Sequence, residues 1–407
     1  MLSKAVSAIV RVSGALMSVI LTLIVSRSYS VDTAANFFYF FNVSVILSVF
    51  ILFGINTYIV REVSKFNDKD SIPKGVVGEI RFAYLLAVLL TFILFFGGFV
   101  YIRVQESLID LSELLYILLI SMSLCVLNIS SSIHQGRQRL NQATIYLNLL
   151  PSFLFVIFFG GGLVFSIILN PLKLLSITYL FSCVVSIFSV RRDVFFDFKI
   201  KKIEMKKVKS FYLTQVVQLG LLSFIPVICK SYYNSNDIGN FYVAIRVTAV
   251  LSLFFVVLNF IIMPRISSIY HNSGLDALGL YCKKITRLTI FVSLPVFFLI
   301  LFFSDNISLM FGSEYVGSSN IVLILAFGFM SAVLFGQVGS ILNMTGLEGD
   351  FSKINILSLI VSLSLTYIVC EAGLPIYYPA IVYAFVMFIQ NLLGFLVIKR
   401  KLGFYTL

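Results

Sequence analysis

Tryptophan is absent from this 407-residue chain, and charge is scarce: Asp, Glu, Lys and Arg together make up 12% of it. A soluble domain carries about 25% charged residues, so that class is excluded on composition. Acids are the scarcest part, 18 against 30 Lys and Arg. All eighteen fall in expected loops or at the ends of apolar runs; Asp32, Glu79, Glu113, Asp237, Glu314 and Glu371 lie nearest to the runs. A proton- or sodium-driven drug exporter ordinarily needs a buried acid, and the sequence offers none in mid-run. The five cysteines (Cys125, Cys183, Cys229, Cys282 and Cys370) form no CxxC, which leaves neither a disulfide framework nor a zinc site indicated. No phosphate-cradling glycine loop, catalytic triad or metal motif is present, so no cofactor is expected. His134 and His271 are expected at the surface, and Gly160-Gly161-Gly162 reads as helix packing or a turn.

What the chain has in abundance is apolar sequence: 59% hydrophobic residues and a mean hydropathy of +1.03. A bilayer core takes about 20 apolar residues per helix. Twelve candidates emerge: Lys4–Ser26, Ala35–Val60, Gly78–Tyr101, Leu111–Ile133, Thr144–Leu169, Leu172–Val190, Phe211–Lys230, Gly239–Met263, Ile285–Ser304, Ser319–Asn343, Ile354–Cys370 and Ile376–Ile398. The first run is too long for a signal peptide and lacks its cleavage site, so it is expected to remain as a span. The fold class is therefore an all-α polytopic membrane protein.

The net charge of +12 sits in the short gaps between spans. That placement points to membrane lipids as partners rather than to nucleic acid. With the N-terminus inside, the outside gaps hold only Arg27, Arg103, Lys173 and Lys230; nearly all other cations fall inside. The positive-inside rule then places both termini in the cytoplasm. The longest gaps, of about 20 residues, are too short for a soluble catalytic domain.

The densest basic stretch is Arg191–Ser210, with eight cations (Arg191, Arg192, Lys199, Lys201, Lys202, Lys206, Lys207, Lys209) against Asp193, Asp197 and Glu204. It divides the chain into residues 1–190, a cytoplasmic linker 191–210, and residues 211–407. A shift of 204 positions aligns the halves without a gap over their first two spans. Tyr29 falls on Tyr233, Asn36 on Asn240, and Arg61 on Arg265 at repeat-related cytoplasmic ends. A looser echo pairs Gly136 with Gly346. Six spans per half make the repeat parallel, with the substrate site expected between the halves.

Twelve spans in two six-helix halves, a basic central linker, the first two spans through Gly54-Ile55-Asn56 to Arg61-Glu62, and Gln135-Gly136-Arg137-Gln138-Arg139 together resemble the multidrug/oligosaccharidyl-lipid/polysaccharide (MOP) superfamily, and the expected fold is two six-helix pseudo-symmetric bundles around a central cavity. Within it the likeness is to O-antigen and polysaccharide flippases of the Wzx type. The resemblance implies a transporter, not an enzyme, in the bacterial inner membrane. It would flip undecaprenyl-diphosphate-linked oligosaccharide outward by alternating access, with other polysaccharide-assembly proteins as partners. A drug exporter or lipid II flippase of the same superfamily is the nearest alternative. A membrane polymerase or glycosyltransferase is the alternative of another class, although such proteins have a sizeable outer loop.

Four polar residues inside spans are the candidate substrate contacts. Arg11 lies in the first span and Arg246 in the eighth, and a charge there costs at least ~2.5–3.5 kcal/mol unless water or a partner receives it. By the same shift Arg11 falls on Gln215 and Asn42 on Arg246, so each paired site holds one arginine and one amide. Arginine stays charged and offers a planar fork to phosphate oxygens, which suits a diphosphate leaving water. The plainer readings are that Arg11 snorkels to headgroups and that the two amides bond neighbouring helices. Gly220 and Pro226 in the seventh span are expected as a hinge, or as a static kink.

Overall fold

A computed structural model describes residues 2–64, 72, 74–105, 110–137, 139–164, 170–194 and 199–406; the side chains of some helical residues, Arg11's among them, lie outside that description. Every regular element among the described residues is helical. In chain order these are α1 Leu2–Ser28, α2 Val31–Leu52, α3 Ile55–Ser64, α4 Lys74–Gln105, α5 Leu111–Gly136, α6 Leu140–Thr144, a π-turn Ile145–Leu149, α7 Leu150–Val164 and α8 Pro171–Val194. They continue as α9 Met205–Cys229, α10 Ser235–Asn272, α11 Gly274–Phe311, a 3-10 turn Ser313–Tyr315, α12 Ser318–Phe335, α13 Val338–Met344, α14 Glu348–Glu371 and α15 Tyr377–Leu402. Among the described residues, nine helical stretches are long and apolar enough to cross a membrane. The chain is a multi-pass membrane protein. The other three expected spans fall on α1, α9 and α10, where the described residues do not by themselves make a qualifying stretch.

Two expected spans are each divided by a glycine. Ala35–Val60 is broken at Phe53 (φ 48°) and Gly54 (φ 75°), which separate α2 from α3. Ser319–Asn343 is broken at Gly336 (φ 79°) between α12 and α13. Apolar runs hide such breaks, because hydropathy does not register a change of backbone hand. Conversely, the loop expected after the eighth span is helix: α10 runs to Asn272, and α11 starts at Gly274, whose φ is +82°. At 1.5 Å per residue the 38-residue α10 is roughly 57 Å long, well beyond a hydrocarbon core of about 30 Å, whereas α11, of the same length, is kinked at Phe303 (φ −117°, ψ 18°). Gly160 and Gly161 form neither a turn nor a packing contact; they lie within α7, and a methyl group at either would meet nothing within 4 Å.

The chain forms two compact units: Met1–Val25 with Phe37–Val216, and Ser26–Asn36 with Val217–Leu407. In the first unit α5 is central, packed by α3, α4, α6 and α8. Its buried face is rich in small residues, including Ser121, Ser123, Cys125, Ser130, Ser131, Ser132 and Gly136. Small side chains let membrane helices approach closely, and their hydroxyls find backbone or side-chain acceptors. Ser121 donates to the Ile117 carbonyl (2.7 Å), Ser131 to the Ala143 carbonyl (2.9 Å), and Tyr84 and Ser130 share a hydrogen bond of 2.8 Å. A methyl group at Gly136 would meet Val63 of α3 at 2.6 Å, so this glycine seats α3 against the end of α5. Gly346, its expected echo, does a different job: it is a turn residue with φ +80° and open space around it. The outer face of α4 exposes Leu89, Phe92, Ile93 and Phe96, as a lipid-facing helix should.

In the second unit α12 packs on α10, α11 and α15. Gly328 brings α12 against Ala384 of α15, where an added methyl would lie 2.9 Å from the Ala384 Cα. The segment Ser26–Asn36 joins this unit: Arg27 Nε donates to the Met310 carbonyl at 2.6 Å, and Gly239 packs near Val31 and Ala35. The 204-residue shift carries Val31, the first residue of α2, onto Ser235, the first residue of α10. The two helices start in the same register and differ in that only the first is broken after 22 residues.

Gly54 is the most constrained glycine of the first unit. A methyl group there would sit 2.5 Å from the Tyr212 backbone nitrogen, on a residue already at positive φ. Gly54→Ala is expected to destabilise the protein by about 1–3 kcal/mol or more, since backbone atoms cannot move aside as a side-chain tip can. Gly160→Ala is expected to leave stability unlowered. Thermal unfolding of both variants in detergent checks the contrast.

Candidate functional site

The first unit pairs several of its charges where the ends of α5 and α8 meet the start of α4. Lys201 extends from the basic stretch, and its Nζ lies 2.9 Å from Glu79 Oε1 in the second turn of α4. The Tyr58 hydroxyl of α3 donates to the other carboxylate oxygen at 2.9 Å. The hydrogen bond to Glu79 raises the pKa of the exposed Lys201 amine above its ordinary value. Arg81 is buried and donates to the carbonyls of Val194 and, at 2.8 Å, Lys199. Arg137, 2% exposed, pairs with Asp193 at 2.8 Å. Backbone completes the docking: Lys201 N donates to the Gly78 carbonyl at 3.1 Å, and a methyl on Gly78 would meet Lys201 Cβ at 3.0 Å. Ile203 and Val208 are buried in the first unit's core. Buried charges are tolerated where each is paired or hydrogen-bonded, and these are.

The basic stretch is therefore a strap fixed to the first unit. Composition could not show this, because Glu79, Arg81 and Arg137 read as ordinary span-end charges. Their proximity to one another depends on the α3–α4–α5 packing. His134 is a correction of the same kind. It is 2% exposed rather than on the surface, with Nε2 2.9 Å from Ser189 Oγ and its ring beside Tyr146. The close packing of α5 on α8 buries it.

Gln215 lies two to three turns into α9 and is half-buried. Its Nε2 donates to Asn56 Oδ1 at 2.9 Å and to Thr57 Oγ1 at 2.7 Å, both on α3. One turn earlier, Phe211 lies under the Arg61 guanidinium at 5.0 Å. Arg61 also lies 5.6 Å from the Tyr58 ring and pairs with Glu62 at 3.2 Å. A polar seam thus joins α3 to α9, and the break at Gly54 directs α3 along it. Asn42 on α2 is half-buried and engaged within the protein. Arg11 lies on α1, and its side chain is outside the described residues.

Several polar residues within spans escaped the sequence reading, Asn148 and the hydrogen-bonded pair Gln390 and Asn355 among them. Asn148 sits in the π-turn Ile145–Leu149, inside the stretch Leu140–Gly162 that is apolar enough to span. It is exposed, and its Cβ lies 3.2 Å from where a methyl on Gly14 of α1 would be. π-turns widen a helix locally and recur at functional positions. No periodicity in the sequence announces one.

In the second unit Arg246 is half-buried on α10 and engaged within the protein. A small pocket, with a cavity volume of about 10 Å³, lies nearby, lined by Ile225, Phe241, Ile245, Thr248, Leu325, Phe329 and Tyr383. Arg246 is not among its walls; at about 100° per residue it lies off the helix face shared by Ile245 and Thr248. The cavity is apolar, because Thr248 spends its hydroxyl on the Ala244 carbonyl at 2.7 Å. Gly220 is buried, and a methyl there would meet Leu359 of α14 at 2.6 Å. α9 runs unbroken through Pro226 to Cys229. Arg265 is exposed near the end of α10, as Arg61 is on α3. Among the described residues no group of His, Cys, Asp and Glu could hold a metal ion.

The whole fold has known counterparts. An inward-facing multidrug resistance MATE family transporter of the MOP superfamily superposes with TM-score 0.72 at 16% identity, over 97% of this chain and 98% of that one. The lipid II flippase MurJ, in an inward closed conformation, gives 0.67 at 14% identity, over 98% and 88%. A MOP superfamily transporter from Pyrococcus furiosus, described as having a binding pocket of reverse polarity, gives 0.60 at 13% identity, over 98% and 95%. No protein-family model matches the sequence, and no curated protein matches it. The fold is that of the MOP superfamily transporters. The structural likeness spans both the multidrug and the lipid II branches of that fold.

Glu79→Ala removes the acceptor of both Lys201 and the buried Tyr58 hydroxyl. It is expected to lower stability by about 1–3 kcal/mol, seen as a fall in the unfolding temperature in detergent. Lys201→Met is expected to cost less, because Lys201 is 64% exposed and its half of the interaction is screened by water.

Proposed function

We propose that this protein is a flippase moving an undecaprenyl-diphosphate-linked oligosaccharide from the cytoplasmic to the outer leaflet of a bacterial inner membrane by alternating access. On this reading twelve spans form two six-helix bundles, residues 1–190 and 211–407, joined by the strap 191–210, with both termini cytoplasmic. The protein is a transporter, not an enzyme. The observation that carries the substrate class is a charge pattern: the long helices α1 and α10 hold Arg11 and Arg246, while every described acid sits at or near a helix end. Cationic drugs would be repelled by such a path, and the diphosphate of a lipid-linked glycan would be stabilised by it. On this reading Asn42 and Gln215, the latter once released from Asn56 and Thr57, supply hydrogen bonds to the substrate, and α9 bends about Gly220 and Pro226. The glycan crosses through water while the polyprenyl tail stays in the bilayer. The similarity of fold to the lipid II flippase MurJ supports the lipid-linked class, and the similarity to a multidrug transporter supports the alternating-access mode.

Replacing Arg246 and Arg11 together by alanine is expected to abolish surface polysaccharide at unchanged protein level, with Arg246→Lys retaining part of it. Normal display by the double variant would remove the anion site. For topology, a tag in the Asn234–Asn236 turn is expected to label only from outside the cell; labelling from the cytoplasm would overturn the span scheme.

A further inference from the structure

Two of the second unit's three thiols meet each other, and the proposed transport cycle uses neither. Cys229 is the last residue of α9 and Cys370 the penultimate residue of α14; they lie 141 positions apart, yet their sulfurs are 3.9 Å apart. Both are free and almost fully buried, at 0% and 3% exposure. The helix ends that carry them are braced together. The Tyr232 hydroxyl donates to Glu371 Oε1 at 2.8 Å, and the Tyr233 hydroxyl donates to the Leu374 carbonyl at 2.6 Å. Further down, Leu359 of α14 fills the space left by Gly220 of α9. Cys282 is buried in a separate core cluster of this unit, and Cys125 and Cys183 belong to the first unit.

We propose that Cys229 and Cys370 are a reversible disulfide site that clamps the last turn of α9 to α14. A disulfide needs sulfurs about 2.05 Å apart, which rotation of the two side chains and a small shift of the helix ends can reach from 3.9 Å. Exposed residues adjoin the pair: Tyr232 N donates to the Cys229 carbonyl at 3.0 Å, and Glu371 directly follows Cys370. The oxidant is an exogenous disulfide, of a protein or a small molecule. Deprotonated Cys370 attacks one of its sulfurs and expels the other as a thiolate. Deprotonated Cys229 then attacks the Cys370 sulfur of the mixed disulfide and expels the second thiolate. Two protein thiols lose two electrons and two protons, and one exogenous disulfide becomes two thiols. With the topology proposed above, this end of α9 faces the outside, where disulfides form and persist. Resting on that reading too, the bond restrains the bending of α9 about Gly220 and Pro226 and slows flipping.

The purified full chain is treated with oxidised glutathione, then denatured, alkylated and mapped by mass spectrometry, with dithiothreitol reversal as a control. The expected result is the loss of two of the five alkylatable thiols and a linked pair of peptides carrying Cys229 and Cys370. Cys229→Ser and Cys370→Ser are each expected to prevent the linkage, and reductant is expected to restore all five thiols. Five free thiols after treatment, a linkage that uses Cys282 instead, or glutathione adducts that never resolve into the pair would overturn the proposal. This readout does not depend on what the protein transports. In proteoliposomes, oxidation is expected to slow flipping by the unmodified protein but not by Cys229→Ser. Unchanged flipping with the bond fully formed would overturn the clamp.

Discussion

Helices immersed in hydrocarbon gain little from hiding apolar side chains from one another, since lipid tails are equally apolar. What holds them together is close approach, with dispersion contacts and hydrogen bonds that only small residues permit. This structure depends on that constraint throughout. The serine face of α5 admits α3, α4 and α8, Gly54 lets α3 turn onto the backbone of α9, and Gly328 lets α12 lie on Ala384 of α15. The same rule explains why so many buried serines and threonines donate to carbonyls one turn earlier. A hydroxyl with no water to bond gains most by bonding locally, although among the described residues Ser123, Ser293, Ser362 and Thr366 are buried without such a bond.

Charge is placed by a second rule. With few acids in the chain, most are committed at helix ends, where Glu79 and Asp193 hold the basic strap against the first unit. Arg137 and Arg81 are buried at little cost because each meets a carboxylate or carbonyls at hydrogen-bond distance. That commitment leaves the spans themselves with arginine and amides as their strongest polar groups. The proposed preference for an anionic cargo follows from what remains after the ends are satisfied.

Much of this was readable beforehand. Long apolar runs separated by basic gaps announced a polytopic helical protein, and the 204-residue shift that set Tyr29 on Tyr233 also sets the start of α2 on the start of α10. Three kinds of feature were not readable, for physical reasons. Breaks at Gly54 and Gly336 change backbone hand without changing hydropathy. The π-turn at Asn148 alters hydrogen-bond register and leaves no periodic trace. The burial of His134 and the meeting of Cys229 with Cys370 are products of tertiary packing between residues 55 and 141 positions apart. Scattered cysteines in apolar runs carry no sign of partnership, so the absence of CxxC was a sound guide to metal sites and a poor one to proximity. Of the candidate substrate residues, Gln215 proved to be bonded to Asn56 and Thr57, a neighbour-helix contact, so any role with substrate requires that seam to open.

The central claim is that the path selects a lipid-linked diphosphate over a cation. Reconstitution into proteoliposomes with a fluorescent polyprenyl-diphosphate oligosaccharide in the inner leaflet, read by quenching from outside, tests it directly. The account predicts protein-dependent appearance of the glycan lipid in the outer leaflet and no export of a cationic dye from the lumen. Export of the dye with the glycan lipid left in place would contradict it.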